Sequence, residues 1–93
     1  MSTAQLHRFR AEVAVRVPRN GDGGLVDEAT RRLKTSDVEQ LTVTALCGVQ
    51  PGLSATVVTV ETRIETPTAE STQVAEALLN APGLQEVNRI SRA

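Results

Sequence analysis

Among the 93 residues, the segment whose types best suit a ligand is Asn20-Gly21-Asp22-Gly23-Gly24, followed by Leu25. Glycines let a ligand approach the backbone closely, and a helix opening at Gly24 would offer unpaired N–H groups carrying positive partial charge. Such a terminus suits a carboxylate or a phosphate. Asp22 and Asp27 oppose an anion, so an anionic ligand needs a compensating positive group. The same loop also reads as an ordinary strand-to-helix connection with Asp22 as the cap.

Residues for catalysis or metal binding are sparse. Cys47 is the single cysteine and His7 the single histidine, so the chain can form neither an intrachain disulfide nor a zinc set. A soft-metal carrier would need two thiolates in the first loop, and that loop, Arg19 to Gly24, holds none. Cys47 itself reads as a small buried hydrophobe. No nucleophile stands beside a base, and His7 precedes the first expected strand. The expectation is a protein that is not an enzyme and uses no metal or cofactor.

Charge excludes further classes. The formal net charge is −1, although Arg8, Arg10, Arg16 and Arg19 gather in the first third. That balance gives no general attraction to nucleic acid or to an anionic membrane. No apolar run is long enough to span a bilayer, and Met1 to Arg10 lacks the apolar centre of a signal peptide, so a cytoplasmic protein is expected. The apolar residues are mostly Val, Leu and Ala, with Phe9 the only aromatic. The core is therefore built from many small contributions, stability is modest, and dimer formation would help. Residues 1–93 read as a single domain, with 1–7 flexible.

Hydrophobic period sets the framework around these groups. Phe9, Ala11, Val13, Val15 and Val17 alternate with polar neighbours over Arg8 to Val17, which predicts a strand with one buried face. Leu25, Val26, Ala29 and Leu33 recur at helical spacing and predict a helix from about Gly24 to Thr35. Its exposed face carries Asp27 with Arg31 and Glu28 with Arg32 as i, i+4 pairs. A second strand is expected with Leu41, Val43, Ala45 and Cys47 on its buried side, and a third from Ala55 to Thr66. Pro51-Gly52 between them suits a type II turn with positive φ at Gly52. Thr68 is placed to cap a second helix whose stripe is Val74, Ala75, Leu78 and Leu79. Pro82-Gly83 stops it, leaving Leu84 to Ser91 for a last strand.

The order strand, helix, strand, strand, helix, strand buries every apolar face if both helices lie on one side of a four-stranded antiparallel sheet. This is the α+β, ferredoxin-like βαββαβ sandwich. Its other face is open, and RNA binding there would call for aromatic rings where this chain has Ala, Thr, Glu and Arg.

Two segments carry a family likeness: Gly23-Gly24-Leu25-Val26-Asp27-Glu28-Ala29-Thr30-Arg31-Arg32-Leu33, and Leu78-Leu79-Asn80-Ala81-Pro82-Gly83-Leu84-Gln85-Glu86-Val87-Asn88-Arg89-Ile90. The first resembles the loop and first helix of ACT domains, where a Pro-Gly-Leu-like turn opens the helix, and the second resembles that family's close. Gly23 stands where the family usually has Pro. The resemblance implies a small regulatory module that binds an amino acid or small anion between paired domains. The ligand would be held by Asn20, Gly21, Asp22, Gly23, Gly24 and Leu25 and by a neighbouring strand.

Two functions are thus expected. One is a non-catalytic, small-ligand-sensing module acting as a homodimer. The other is a protein-interaction or assembly module that pairs through a sheet edge or the open face. The edge along Leu41 to Cys47 contains no proline, lysine or other charge to discourage pairing.

Overall fold

The computed structural model describes residues 6–18, 24–36, 38 and 40–93. Its elements are β1 (His7–Pro18), α1 (Leu25–Lys34), β2 (Gln40–Pro51), β3 (Ala55–Thr66), α2 (Ser71–Leu79) and β4 (Leu84–Arg92). The strands form one antiparallel sheet in the order β2-β3-β1-β4. This is the ferredoxin-like α+β arrangement expected from the hydrophobic period.

The alternation in β1 fixes which face is buried. Phe9, Ala11, Val13, Val15 and Val17 are buried, and they form one cluster with Val58, Val60 and Ile64 of β3. Ala29 and Leu33 of α1 and Val74 and Leu78 of α2 enter that same cluster, which puts both helices on this face. Thr62 is the polar residue buried at the centre of β3, and its hydroxyl donates to the Ala11 carbonyl at 3.0 Å. That bond removes the cost of an unsatisfied group between the two central strands. His7 is already part of β1, opposite Thr66, so only residues 1–5 of the segment expected to be flexible lie outside the described residues.

The edge strand β2 departs from its simple alternation. Its register against β3 slips between Val43 and Ala45 and again between Leu46 and Gly48, making Thr44 and Cys47 the extra residues of two bulges. Each bulge inverts the parity of the residues after it. Leu41 is buried and Val43 half-buried, but Ala45 and Cys47, expected on the core side, are exposed. Leu46 and Val49 instead pair with Val60 and Val58, on the core side, and remain 50% and 43% exposed. Bulges also twist an edge away from a straight partner strand, so this edge carries a protection that side-chain types do not reveal.

The caps differ in detail from those expected. α1 opens at Gly24, whose carbonyl accepts the Glu28 N–H at 3.0 Å. Asp22, the expected cap, lies outside the described residues. At the other end the hydroxyls of Thr35 and Ser36 donate to the Arg32 and Leu33 carbonyls, supplying partners that the helix cannot. Glu70, not Thr68, is the N-cap residue of α2. The Thr68 hydroxyl sits two residues earlier, accepting the Glu70 N–H at 3.2 Å and donating to Gln73 Oε1 at 2.8 Å. Leu79 of the expected α2 stripe is 54% exposed. The β2–β3 turn is not type II, because Gly83 is the one described glycine with positive φ. Gly52 is required for space: a Cβ there would lie 2.7 Å from the Ala55 carbonyl oxygen.

Candidate functional site

The end of the sheet where β1 finishes, the β2–β3 turn folds over and β4 begins collects the chemistry. β1 runs past the start of β4, whose first register pair is Leu84 with Val15. The Arg16 N–H is therefore taken by the Gly83 carbonyl in the preceding turn, at 2.7 Å. Gly83 has φ +81°, and a Cβ on it would lie 2.7 Å from the Arg16 carbonyl oxygen. Glycine is demanded twice here, by the left-handed backbone and by the close approach of β1.

Arg32 reaches the same corner from α1. It adjoins the core residue Leu33 and follows Ala29 by three, so its stem runs along the border of the buried stripe, with Cδ 3.7 Å from the place of a Gly83 Cβ. Glu28, the expected partner of Arg32, instead pairs with Arg31 at 3.2 Å. Arg32 is half-buried, and its Nε is fully enclosed without a hydrogen-bond partner. An enclosed donor left unpaired costs about 1–3 kcal/mol, and more when the group is charged.

A cavity of about 310 Å³ lies at this corner, lined by Arg16, Pro18, Arg32, Ser54, Ala55 and Gly83. That volume is at the lower end of the range for small-molecule sites. A second cavity of about 230 Å³ adjoins it, sharing Arg16, Ser54 and Ala55 and adding the turn residues Gly52 and Leu53 with Val57 and Gln85. The Arg16 guanidinium donates to Ser54 Oγ at 3.4 Å, which places it beside the wall common to both. Two guanidinium side chains thus border the larger of these cavities, and no carboxylate among the described residues lines it.

Of the residues expected to hold a ligand, Asn20, Gly21, Asp22 and Gly23 lie outside the described residues. Gly24 and Leu25 open α1, with Leu25 packed against the core, and neither lines the two cavities. The residues that do were missed in the sequence. Arg16 looked like one of several cations on the open face, and Arg32 looked spent on Glu28. The sequence signal that was available is Pro82-Gly83, a turn whose glycine lets two neighbours close in.

The open face carries a mixed charge lattice. Arg10 pairs with Glu61 at 3.2 Å and Arg8 with Glu65 at 3.8 Å, each an exposed arginine against a half-buried glutamate. Glu12 stands directly opposite Glu61 in the register. Cys47, bulged out of β2, feels both carboxylates. Its thiol is pushed above the usual value by partial loss of hydration and then by the negative charges of Glu12 and Glu61, which disfavour the thiolate. It is thus exposed yet biased toward the protonated form, not the buried hydrophobe expected. Among the described residues no cluster of three or more His, Cys, Asp or Glu could hold a metal ion. No helix among them is long and apolar enough to cross a membrane.

Compared with known proteins, the chain matches no protein-family model and no curated protein.

Proposed function

We propose that this protein is a non-catalytic regulatory module that binds a small ligand, an amino acid or a small anion, which is the ligand class its resemblance to ACT domains implies, at a place other than the Asn20 to Leu25 loop of that resemblance. The observation that carries this reading is the pair of adjoining cavities at the end of the sheet, bordered by Arg16 and Arg32, with an enclosed guanidinium nitrogen lacking a partner. The cavities join β1, α1, the β2–β3 turn and the turn before β4, so a ligand there would tie together elements distant in sequence. Such tying is how binding energy alters the stability and motion of a small domain.

A thermal-shift screen of amino acids and small anions tests the proposal. A ligand present at about tenfold its Kd adds roughly 1.4 kcal/mol of stability, worth about 6–11 °C in a domain of this size. At least one ligand is expected to give a saturable shift. A screen in which none does removes the reading.

A second reading, assembly through the β2 edge, is favoured by Leu46 and Val49. These side chains are half-exposed on the core side of a strand that has only one neighbour. Sedimentation at about 100 μM, where a weak self-interface would already be populated, separates the two. A monomer that still binds a ligand supports sensing alone.

A further inference from the structure

We infer that the ligand of the cavity of about 310 Å³ is a small oxyanion, a carboxylate or a phosphate group, held between the guanidinium groups of Arg16 and Arg32. The inference rests on the ligand-binding reading above and names the chemistry of its ligand.

Three observations converge on it. The enclosed Nε of Arg32 is a charged donor with no acceptor, while the helix carboxylate expected to pair with it is engaged by Arg31. Arg16 is anchored by its backbone to Gly83 and by its guanidinium to Ser54, so its charge is held beside the cavity without being neutralised by the neutral hydroxyl. The remaining walls, Pro18, Ala55 and Gly83, bring no negative side chain. Guanidinium groups present paired N–H donors whose spacing matches two oxygens of a carboxylate or phosphate. An oxyanion between the two guanidinium groups would offset two like charges at once, which a neutral ligand would not.

The corner is also shaped for such a guest. A side chain at position 83 would push into the Arg16 backbone and crowd the Arg32 stem, so glycine keeps this wall open. Ser54 lines both cavities and leaves a hydroxyl beside the Arg16 guanidinium that can serve an additional oxygen.

The test is calorimetric titration of the full chain with sodium phosphate and, separately, sodium acetate, against sodium chloride at matched ionic strength so that general screening cancels. The expected result is saturable binding of at least one oxyanion and none of chloride. Arg32→Gln and Arg16→Gln should each weaken it about tenfold or more, while Arg32→Lys, which keeps charge and loses the fork, should restore only part. Phosphate binding stronger than acetate identifies a phosphate group, and the reverse identifies a carboxylate. Lys34→Gln, on the same helix but away from both cavity walls, should bind as the parent does. Circular dichroism establishes that each variant is folded. Oxyanion binding unchanged in both Arg16→Gln and Arg32→Gln overturns the assignment. If neutral amides or cationic amines shift the protein while oxyanions do not, the inference fails and the broader ligand-binding reading stands. If nothing binds, both fail.

Discussion

The Gly83 carbonyl accepts the Arg16 N–H at 2.7 Å, in a turn where a Cβ on Gly83 would lie 2.7 Å from the Arg16 carbonyl oxygen. This contact fastens the entry of β4 to the end of β1 and keeps the Arg32 stem against a bare backbone. Gly83→Ala adds both positive-φ strain and a backbone collision, and it should cost about 1–3 kcal/mol in denaturant unfolding. Gly24→Ala is the control, because among the described residues a Cβ there meets only Asp27 Oδ2, at 3.7 Å. Equal effects of the two substitutions would show that the turn before β4 is looser than these distances imply.

Leu33 and Leu78 are fully buried in the shared core, one from each helix. Truncation of either to Ala should lower stability by about 2–5 kcal/mol, which in a domain of this size approaches the whole margin. Leu79→Ala, at a residue more than half exposed, should stay within about 0.5 kcal/mol. A large loss at Leu79 with a small one at Leu78 would mean that α2 is rotated about its axis.

Cys47 offers a pH-dependent readout of the open face. Its thiol is held protonated by reduced hydration and by Glu12 and Glu61, so alkylation by iodoacetamide near neutral pH should be slower than for a free cysteine. The rate should climb as pH rises through the raised value, since only the thiolate reacts. Glu12→Gln and Glu61→Gln each remove a negative neighbour and should speed the reaction at fixed pH. An unchanged rate in both variants would place Cys47 away from the carboxylates.

Self-association would use the β2 edge. Thr44 sits at the first bulge and its hydroxyl donates to the Glu61 carbonyl at 3.2 Å. Thr44→Lys puts a charge on that exposed edge without removing core volume. If the chain dimerises there, the substitution should shift sedimentation at about 100 μM toward monomer. A dimer untouched by Thr44→Lys would have to use another surface.

Legibility in the sequence followed the regularity of each element. The core-facing residues of β1 and β3, Phe9, Ala11, Val13, Val15 and Val17 with Val58, Val60 and Ile64, could be read from period two, whereas Ala14, buried on the opposite parity, could not. β2 could not be read beyond Val43, because its two bulges change the register without any distinctive residue at Thr44 or Cys47. The Gly83 turn was visible as a helix stop, but its second role, admitting Arg32 and Arg16 to one corner, depends on contacts between residues far apart in the chain. Arg32 was misread for a local reason: three and four residues are both helical neighbours, and Glu28 took the nearer arginine.

Nuclear magnetic resonance of the arginine side chains can decide whether the corner bordered by Arg16, Arg32, Ser54 and Gly83 receives a small oxyanion. In a nitrogen-labelled sample the Arg32 Nε–H resonance should move downfield on titration with phosphate or acetate, saturating together with the amides of Ser54 and Gly83, while that of Arg31 stays in place. An Arg32 Nε–H that does not respond to either anion, or that moves no more than Arg31 does, would mean that no oxyanion is held there.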